Sequence, residues 1–507
     1  MAYEIATLLV LLLTIIYSIR RPSRRYSLPP GPKKLPIVEN LFDIPNGGFV
    51  WVEYAKMCQI YDSDIIHLSA LGNSIIVLNS AKTVSDLLEN RSSIYSSRPP
   101  AVMLGELMGW RFSTVLRPAD NSWKAQRRIM NQAMPPNDTE RFHPKLLSLT
   151  HDLLQALPHS NNVMNSLQAW AANLILDVTY GLSGEAAAIY SHLGVAATKS
   201  IAIAGTPGAF YVDQIPILKY IPEWFPGASF KRKAREWSDI RTRMTENTFN
   251  ATKEQVTMGT ATPSLTSVAL EHMDRKQELT KQEELIKLAS VTAYAGGSDT
   301  TVAVLGAFIL AMLIHPDVQD IAHREIRKVL GPGDLPSFSD ELWLPCVTAI
   351  VRETLRLHPV APLAFPHELI QDDIYEGYFL PKNSIIMPNI WSILRNEQDY
   401  PEPDLFNPSR FLDADGKIDP TVKDPATAVF GFGRRVCPGK HIGFASLWIA
   451  VASILTCYSI EPELDESGKP VKPRAEWYSG PSLFNHPLPF KCRFVPRSKD
   501  VELSLGI

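Results

Sequence analysis

The chain is poor in cysteine. Its 507 residues contain five cysteines, an odd number, and no two of them form a Cys-x-x-Cys pair. Disulfide-rich domains and structural zinc sites need cysteines in pairs at short spacings. The composition therefore argues against both, and it is typical of a protein whose cysteines stay reduced.

The chain also lacks a strong net charge and a nucleotide-binding fingerprint. Lysine and arginine number 50 against 53 acidic residues, and the formal net charge of -3 gives no reason to expect a nucleic acid as partner. The spacing Gly-x-Gly-x-x-Gly, which many flavin and nicotinamide sites use, does not occur. Any electrons that the protein uses must therefore come from another molecule.

No stretch of the sequence clearly divides the interior into domains. Internal repeats and low-complexity segments are absent, and 45% of the residues are hydrophobic, as in folded proteins with a large core. The 40 prolines exceed the usual share of about 5%, which predicts many stiff, irregular connections. We predict a single large domain over residues 41–507.

Long apolar runs are scarce, and one of them is N-terminal. Residues 5–19 are apolar apart from two threonines and one serine, and four arginines follow between positions 20 and 25. With residues 1–3 the run approaches the ~30 Å thickness of a bilayer core at about 1.5 Å per residue. A signal peptide, the alternative, would carry its basic residues before the run. We predict a transmembrane anchor with a basic stop over residues 1–25, and a body that faces the cytosol.

A proline-rich segment follows the predicted anchor. Pro29, Pro30, Pro32 and Pro36 cannot continue a helix, so residues 26–40 are predicted to be a stiff hinge between anchor and body. The cytosolic placement also predicts that three glycosylation sequons stay unused. They begin at Asn90, Asn137 and Asn250.

The most informative stretch is FGFGRRVCPG, residues 430–439. Cys437 lies between a glycine-rich segment and an apolar helical run. A thiolate here can bind a metal, the glycines allow the backbone to approach a flat and bulky group, and Arg434 and Arg435 can meet anions. A lone cysteine is more often a small buried side chain, so this interpretation depends on the rest of the chain.

The second apolar run predicts one long helix. Residues 281–314 would span about 50 Å and cross the whole molecule. The central GGSDTT is a poor helix sequence, because two glycines cost about 2 kcal/mol relative to alanine, and such a violation is expected at a functional site. Ala293, Gly297 and Thr300 share one face, which predicts a notch for a flat cofactor and a small ligand. Asp299 at the centre argues against a membrane span.

Both motifs resemble those of the cytochrome P450 family, the haem-thiolate monooxygenases. The pattern FxxGxRxCxG is filled by Phe430, Gly433, Arg435, Cys437 and Gly439, and GGSDTT matches the pattern [AG]GxDT[TS]. The resemblance implies a mainly α fold with a smaller β region, a single cytosolic haem-binding catalytic domain, and a long central helix over the haem.

The resemblance also implies roles at the site. Cys437 would be the axial ligand of the haem b iron, as a thiolate whose pKa is lowered by the metal and by a helix N-terminus. Asp299 and Thr300 would be the acid–alcohol pair that delivers protons to bound dioxygen. Three loop residues would lie against the haem, namely Phe430, Gly431 and Gly439.

Other residues would hold the two haem propionates. Trp123 and Arg127 are four positions apart, so they share a helix face. In isolation they also fit a surface aromatic–cation pair, but the resemblance implies that they bind a propionate together with Arg435. His367 is a candidate propionate donor, and a satisfied core histidine is the alternative.

The sequence IVRETLRLHP contains Glu353 and Arg356, three apart and adjacent on a helix. Alone this is a weak signal, because such pairs are common on helix surfaces. Its place between GGSDTT and the cysteine loop follows the family order. The resemblance implies a buried structural network of Glu353, Arg356 and Arg410, in which each charge is paired.

The substrate pocket is predicted least well. The resemblance implies that residues 98–121 and 203–235 line and roof it. Trp224 and Phe225, beside a basic cluster, suit a membrane interface, and a loop covered by a helix is the alternative. The candidate pocket residues are Phe112, Ala293, Gly297, Val360, Leu363 and Phe484.

The implied function is insertion of one oxygen atom from O2 into an apolar small molecule. Electrons would come from an NADPH-dependent flavoprotein reductase at the endoplasmic-reticulum membrane, and an acidic partner could dock on a basic face. That face comprises Lys124, Arg128, Arg434 and Lys440. Parts of the chain look most like fungal members of secondary metabolism, with a lean towards a terpenoid scaffold. Two alternatives are a haem-thiolate isomerase or dehydratase that needs no reductase, and a non-catalytic haem sensor or carrier.

Overall fold

The computed structural model describes residues 26–135, 138–206, 208–478 and 483–507. The predicted anchor over residues 1–25 lies outside the described residues. Within them the chain is mainly helical with a smaller β region, which confirms the predicted fold class.

The α-helices are numbered in chain order. They are α1 (Val50–Ile60), α2 (Ala81–Val84), α3 (Ser92–Tyr95), α4 (Asn121–Ala133), α5 (His143–Ala156), α6 (Val163–Tyr180), α7 (Gly184–Ala204), α8 (Tyr211–Gln214), α9 (Ser229–Met258), α10 (Leu265–Glu271), α11 (Leu279–Ile314), α12 (Pro316–Val329), α13 (Pro345–Leu357), α14 (Ile390–Ile393), α15 (Ala426–Val429), α16 (Lys440–Cys457) and α17 (Lys499–Leu505). Single turns of π-helix cover Ser85–Asn90 and Val102–Leu107, and short 3-10 turns cover Trp110–Phe112, Glu140–Phe142, Leu157–His159, Pro216–Tyr220, Phe338–Trp343, Pro408–Phe411 and Gly433–Arg435.

Within the described ranges, eight strands form three small sheets. They are β1 (Ile65–Ala70), β2 (Asn73–Leu78), β3 (His367–Glu368), β4 (Asp373–Tyr375), β5 (Tyr378–Leu380), β6 (Ile385–Pro388), β7 (Tyr458–Pro462) and β8 (Cys492–Pro496). The largest sheet has the order β1-β2-β6-β3, in which β2 and β6 are parallel and the other pairs are antiparallel. Strands β1 and β2 form a hairpin around Gly72, which the two β-branched runs on either side of Gly72-Asn73 favour.

The long helix α11 organises the hydrophobic core. It has 36 residues, so it is about 54 Å long, and it packs against α4, α6 and α16. Its second half, from Val302 to Leu313, is buried on all sides, as is typical of a helix that is apolar all round. The helix ends at Ile314 because Pro316 disfavours a helical conformation at the residue before it, His315.

Two helices, α11 and α16, are long and apolar enough to span a membrane. Both are largely buried inside the protein. In the most apolar 18-residue stretch of each helix, 72% of the residues are buried in α11 and 67% in α16. Among the described residues they are therefore core helices, as the central Asp299 predicted for α11.

The proline-rich segment differs from a free spacer. The His67 amide donates a hydrogen bond to the Pro30 carbonyl (2.9 Å), and Asn40 Nδ2 donates one to the Pro32 carbonyl (3.1 Å). A side chain at Gly31 would collide with the His67 carbonyl oxygen, at 2.1 Å. The segment is therefore packed against strand β1, because the Pro30 carbonyl finds its hydrogen-bond donor on that strand.

Candidate active site

The cysteine loop is held in shape by its glycines. Gly431 (φ 81°) and Gly433 (φ 52°) adopt left-handed conformations that other residues rarely adopt. A side chain at Gly433 would lie 2.3 Å from the Leu88 carbonyl oxygen. The Cys437 amide donates a hydrogen bond to the Phe430 carbonyl (2.7 Å), and α16 begins three residues later. The loop therefore presents the thiol from a fixed backbone next to a helix N-terminus.

The Cys437 side chain is exposed, yet dense protein around it raises the pKa of its thiol. These two facts agree if the sulfur faces a space enclosed by the fold. Burial is the largest cause, and it outweighs the lowering effects of the Gly439 N–H, Arg127 and Lys440. The N–H at the start of the helix does lower this pKa, as expected, but burial outweighs it in the protein alone; the further lowering by a bound metal ion stays a prediction.

Three arginines (Arg98, Arg127 and Arg435) and Trp123 lie beside the cysteine loop. Among the described residues, no carboxylate pairs with these arginines. The Arg435 guanidinium lies 4.7 Å from the centre of the Trp123 ring, and Arg127 lies 6.0 Å from it. In the part of the chain that the structure describes, the indole N–H of Trp123 and Nε of Arg98 are buried without a hydrogen-bond partner. Neither these two arginines nor Arg98 forms an ion pair within the same residues. Uncompensated buried cations are costly, so this cluster fits a cofactor that carries carboxylates.

Arg435 and Arg98 are also anchored to backbone. Arg435 donates to the carbonyls of Ser96, Thr114 and Arg117 at 2.6–2.7 Å, which leaves two of its five N–H groups. Arg98 donates to the Pro366 carbonyl at 2.7 Å. Burial and the nearby Arg435 lower the pKa of Arg98 well below its usual value. Arg98 was not among the predicted site residues.

His367 has a protein partner on one ring nitrogen, as the core alternative expects, and its role as a propionate donor stays a prediction. Its Nδ1 lies 2.7 Å from the Tyr95 carbonyl oxygen, so Nδ1 carries the proton and donates. Burial, with Arg98 and Arg435 nearby, lowers the pKa of His367 well below its usual value. In the neutral ring the other nitrogen is an acceptor, which a carboxylate cannot use.

The centre of α11 is accessible although the helix is buried on both sides. Between residues 293 and 301 only Tyr294 and Ser298 are fully buried, and Gly296 is exposed. The Thr300 hydroxyl donates a hydrogen bond to the Gly296 carbonyl (3.1 Å). A side chain at Gly296 would meet no atom within 4 Å. The GGSDTT stretch therefore borders open space, as a notch requires.

The residues that make this opening differ from the prediction at one position. A side chain at Gly297 would lie 2.5 Å from Ile175 on α6. Gly297 is thus a packing glycine that lets α11 and α6 approach closely, and Gly296 is the glycine that faces open space. The periodicity of a helix did not separate the two, because both faces need small residues here.

Asp299 has a partner that the sequence did not indicate. His486 Nε2 lies 3.0 Å from Asp299 Oδ2, and 187 positions separate the two residues. The side chain of Asp299 is 14% exposed, and that of His486 is 25% exposed. Nothing in the spacing of the sequence pointed to this contact, since it depends on how the C-terminal loop folds back onto α11.

The predicted charge network is formed and buried. Arg356 donates to both carboxylate oxygens of Glu353, at 2.7 and 2.9 Å, and Arg410 Nε donates to Oε1 at 3.2 Å. The Asn407 amide adds a further bond to the same carboxylate at 2.8 Å. The side chains of Glu353 and Arg356 are fully buried. Arg356 also donates to the Leu394, Pro403 and Leu405 carbonyls, so the network ties α13 to the chain that leads to the cysteine loop.

The predicted pocket residues pack against different hydrophobic neighbours, and their shared pocket stays a prediction. Phe484 is buried and packs edge-on against Phe365, with ring centres 6.2 Å apart. Val360 and Ala293 pack against the main hydrophobic core. The other candidates lie elsewhere: Leu363 packs against the cluster beside β1 and β2, and Phe112 packs beside Trp110 and under Arg241.

Comparisons with known proteins agree with this site. The family model for cytochrome P450 matches residues 29–494. The chain is 56% identical to cytochrome P450 monooxygenase 98 of Postia placenta over 485 residues, which is 96% of this chain and 93% of the relative. It is 38% identical to tryptamine 4-monooxygenase of Psilocybe cyanescens over 502 residues, 98% of each chain. It is 37% identical to cytochrome P450 monooxygenase ple1 of Rhodocybe pseudopiperita over 484 residues, 94% of this chain and 91% of the relative.

The match spans nearly the whole chain, and the motifs, the buried charge network and the carboxylate-binding cluster lie within it. The residues present fit haem b. The arginine–tryptophan cluster would bind its two propionates, and the Cys437 thiolate would bind its iron. The chain belongs to the cytochrome P450 family and is a monooxygenase that uses haem b, O2 and electrons derived from NADPH.

Proposed function

We propose that this monooxygenase inserts one oxygen atom into an apolar small molecule of fungal secondary metabolism. The observation that carries the proposal is the accessible stretch in the middle of helix α11, between the buried residues 289–292 and 302–313, where Asp299 and Thr300 border open space. A protein that only carried haem would not need an acid and an alcohol at this place. Names of some relatives, such as tryptamine 4-monooxygenase, are in line with secondary metabolism.

We assign Cys437 as the axial ligand of the haem iron, which supplies the dioxygen chemistry when bound. Trp123, Arg127, Arg435 and Arg98 would bind the propionates, since among the described residues none of these arginines pairs with a carboxylate and the Trp123 indole N–H has no partner. Arg435 would also fix the surrounding backbone through its three carbonyl contacts. Phe430, Gly431 and Gly439 would let the backbone lie close to the macrocycle.

Proton transfer is assigned to α11. Asp299 would collect protons from the solvent side, and the Thr300 hydroxyl would pass them into the open space. The Thr300 hydrogen bonds to the Gly296 carbonyl at rest, so a lone pair of the hydroxyl is free to accept the proton that Asp299 supplies. The hydroxyl then passes on its own hydrogen, which must turn from the Gly296 carbonyl to the open space. The Glu353–Arg356–Arg410 network would keep the cysteine loop and α13 in place behind the cofactor.

The electron donor is proposed to be an NADPH-dependent flavoprotein reductase. Lys124, Arg128 and Arg434 are exposed cations near the cysteine side of the fold, and within the described residues none of them forms an ion pair. Such a surface attracts an acidic partner and accelerates its association.

The proposed location is the endoplasmic-reticulum membrane, with one span in residues 1–25 and the catalytic domain in the cytosol. Support comes from the segment before α9. Tyr211, Ile217, Tyr220 and Trp224 are each at least 71% exposed, and large exposed apolar patches mark interaction surfaces. Aromatic side chains beside lysine and arginine suit the interface of a membrane.

The substrate class follows from the apolar residues near the site, such as Phe484, Phe365 and Val360. A terpenoid scaffold is our first choice, and an indole is the second, because one relative is named for a tryptamine reaction. The test is expression with an NADPH-dependent reductase in a host fed with members of both classes under labelled dioxygen.

The expected result is a product that carries one labelled oxygen atom and that forms only with reductase and NADPH. The Cys437→Ala variant serves as the matched control and should form none. Product formation without reductase and NADPH would contradict the proposal.

A further inference from the structure

The contact between Asp299 and His486 joins the proposed acid to a distant loop. His486 Nε2 is 3.0 Å from Asp299 Oδ2, a distance typical of an N–H···O hydrogen bond. The helix α11 fixes the position of the carboxylate, and His486 is the only ion-pair partner of Asp299 within the described chain. A mostly buried carboxylate needs such a donor, because leaving it unpaired is costly.

The loop that carries His486 is tied down by backbone bonds. The Asn485 amide donates to the Val360 carbonyl (2.7 Å), and the Tyr478 amide donates to the His486 carbonyl (3.0 Å). Trp477 stacks on His358 with ring centres 4.2 Å apart. Removal of the His486 side chain leaves all of these contacts, so the loop has other anchors.

The same loop carries Phe484, two residues before His486, and Phe484 packs on Phe365. Only Asn485 separates Phe484 from His486, so a molecule that shifts the backbone at Phe484 also shifts the backbone at His486. The loop therefore places a residue of the proposed substrate pocket and the partner of the proposed acid on one short segment.

We propose that His486 is a positioning residue that holds the Asp299 carboxylate and makes its orientation depend on what occupies the pocket beside Phe484. The proposal rests on the proposed role of Asp299 in proton delivery. His486 donates its Nε2 hydrogen to Oδ2, which leaves Oδ1 to serve the open space next to Thr300. The competing interpretation is a plain structural clamp that has no effect on proton delivery.

The first test measures hydrogen–deuterium exchange in the holoenzyme and needs no substrate. In His486→Leu and in Asp299→Leu, the amides of residues 483–490 should exchange about tenfold faster than in the wild type, since a charged hydrogen bond is lost. His272→Leu is the matched control, because His272 is exposed and bonds only within its own segment, and it should leave exchange in this loop unchanged. Unchanged exchange in His486→Leu would overturn the proposal.

The second test uses the product found in the labelled-dioxygen experiment and records the solvent deuterium isotope effect on its formation. Asp299→Asn and His486→Leu should each slow turnover by about tenfold or more and enlarge this isotope effect. The double variant should be no slower than Asp299→Asn, because His486 acts through Asp299. His486→Gln should recover part of the rate, because its amide N–H can donate in place of the imidazole.

The two proposals fail in different ways. Normal turnover in Asp299→Asn would overturn the proposed role of Asp299. Impaired turnover in Asp299→Asn with a normal isotope effect in His486→Leu would overturn only the positioning role of His486. Additive losses in the double variant would also overturn that role.

Discussion

Thr300 is the residue whose chemistry can be isolated most cleanly. Its hydroxyl bonds to the Gly296 carbonyl on its own helix, so its removal breaks no contact between elements. We predict that Thr300→Ala keeps its haem and its fold, but that product per NADPH falls by roughly tenfold or more while peroxide rises, because proton delivery is interrupted. Thr300→Ser, which keeps the hydroxyl, is the control. Unchanged coupling in the alanine variant would remove Thr300 from the proton path.

Glu353 gives a prediction about stability. It is fully buried and neutralises Arg356 and Arg410. In Glu353→Gln both guanidinium groups stay in the interior without a countercharge, which should lower the free energy of unfolding by about 3–5 kcal/mol and reduce the haem content of the purified protein.

The matched control for this change is Glu53→Gln, on the exposed Glu53–Lys56 pair. An exposed pair contributes less than about 1 kcal/mol, so this variant should unfold like the wild type. Denaturant unfolding of the three proteins measures the difference. Equal midpoints for Glu353→Gln and the wild type would show that the buried network does not stabilise the fold.

At the residue scale the sequence predicted contacts that lie close along the chain and missed those that do not. Glu353 and Arg356 are three residues apart, so helix geometry alone brings them together. Arg98 and His486 reach the site only through the path of long loops, and no spacing records that path. Gly297 shows a different limit, since a glycine that faces a cavity and one that lets helices approach look alike in a sequence.

At the scale of elements, long periodic segments were predictable. The helix predicted over residues 281–314 is α11, Leu279–Ile314, because apolar periodicity and a following proline define such a helix well. The hairpin around Gly72 was predictable for a similar reason. The proline-rich segment 26–40 was less so, because its prolines show that it is extended and not that it pairs with β1.

The exposed apolar segment before α9 leads to a prediction on membrane binding. Tyr220 and Trp224 are 75% and 80% exposed. In a protein without residues 1–25, replacing both by serine should weaken binding to phospholipid vesicles by about tenfold or more, since each buried aromatic side chain contributes on the order of 1.5–3 kcal/mol. Vesicle sedimentation at several lipid concentrations measures this change.

The control for the membrane prediction uses a second exposed apolar pair. Leu342 and Trp343 are 89% and 69% exposed and lie in a different segment, before α13. Their replacement by serine should leave vesicle binding unchanged. An equal loss in both double variants would mean that the binding is not specific to the segment before α9.

At the scale of the whole molecule, one helix connects the parts. Helix α11 packs against α4, which carries Trp123 and Arg127, and against α16, which follows the cysteine loop. It also meets the C-terminal loop through Asp299 and His486. The thiol, the carboxylate-binding cluster and the proposed proton donors are therefore positioned by a single rigid element, and this explains why residues from distant parts of the chain form one site.

The central claim is that Cys437 is the axial thiolate ligand of haem b. The most direct measurement is the absorption spectrum of the reduced protein with carbon monoxide, for the wild type, Cys437→Ala and Cys492→Ala. Cys492 lies in β8, which pairs with β7 and is separate from the cysteine loop, so it is a fitting control. We expect a thiolate-type spectrum for the wild type and for Cys492→Ala, and its loss in Cys437→Ala. A thiolate-type spectrum in Cys437→Ala would contradict the claim.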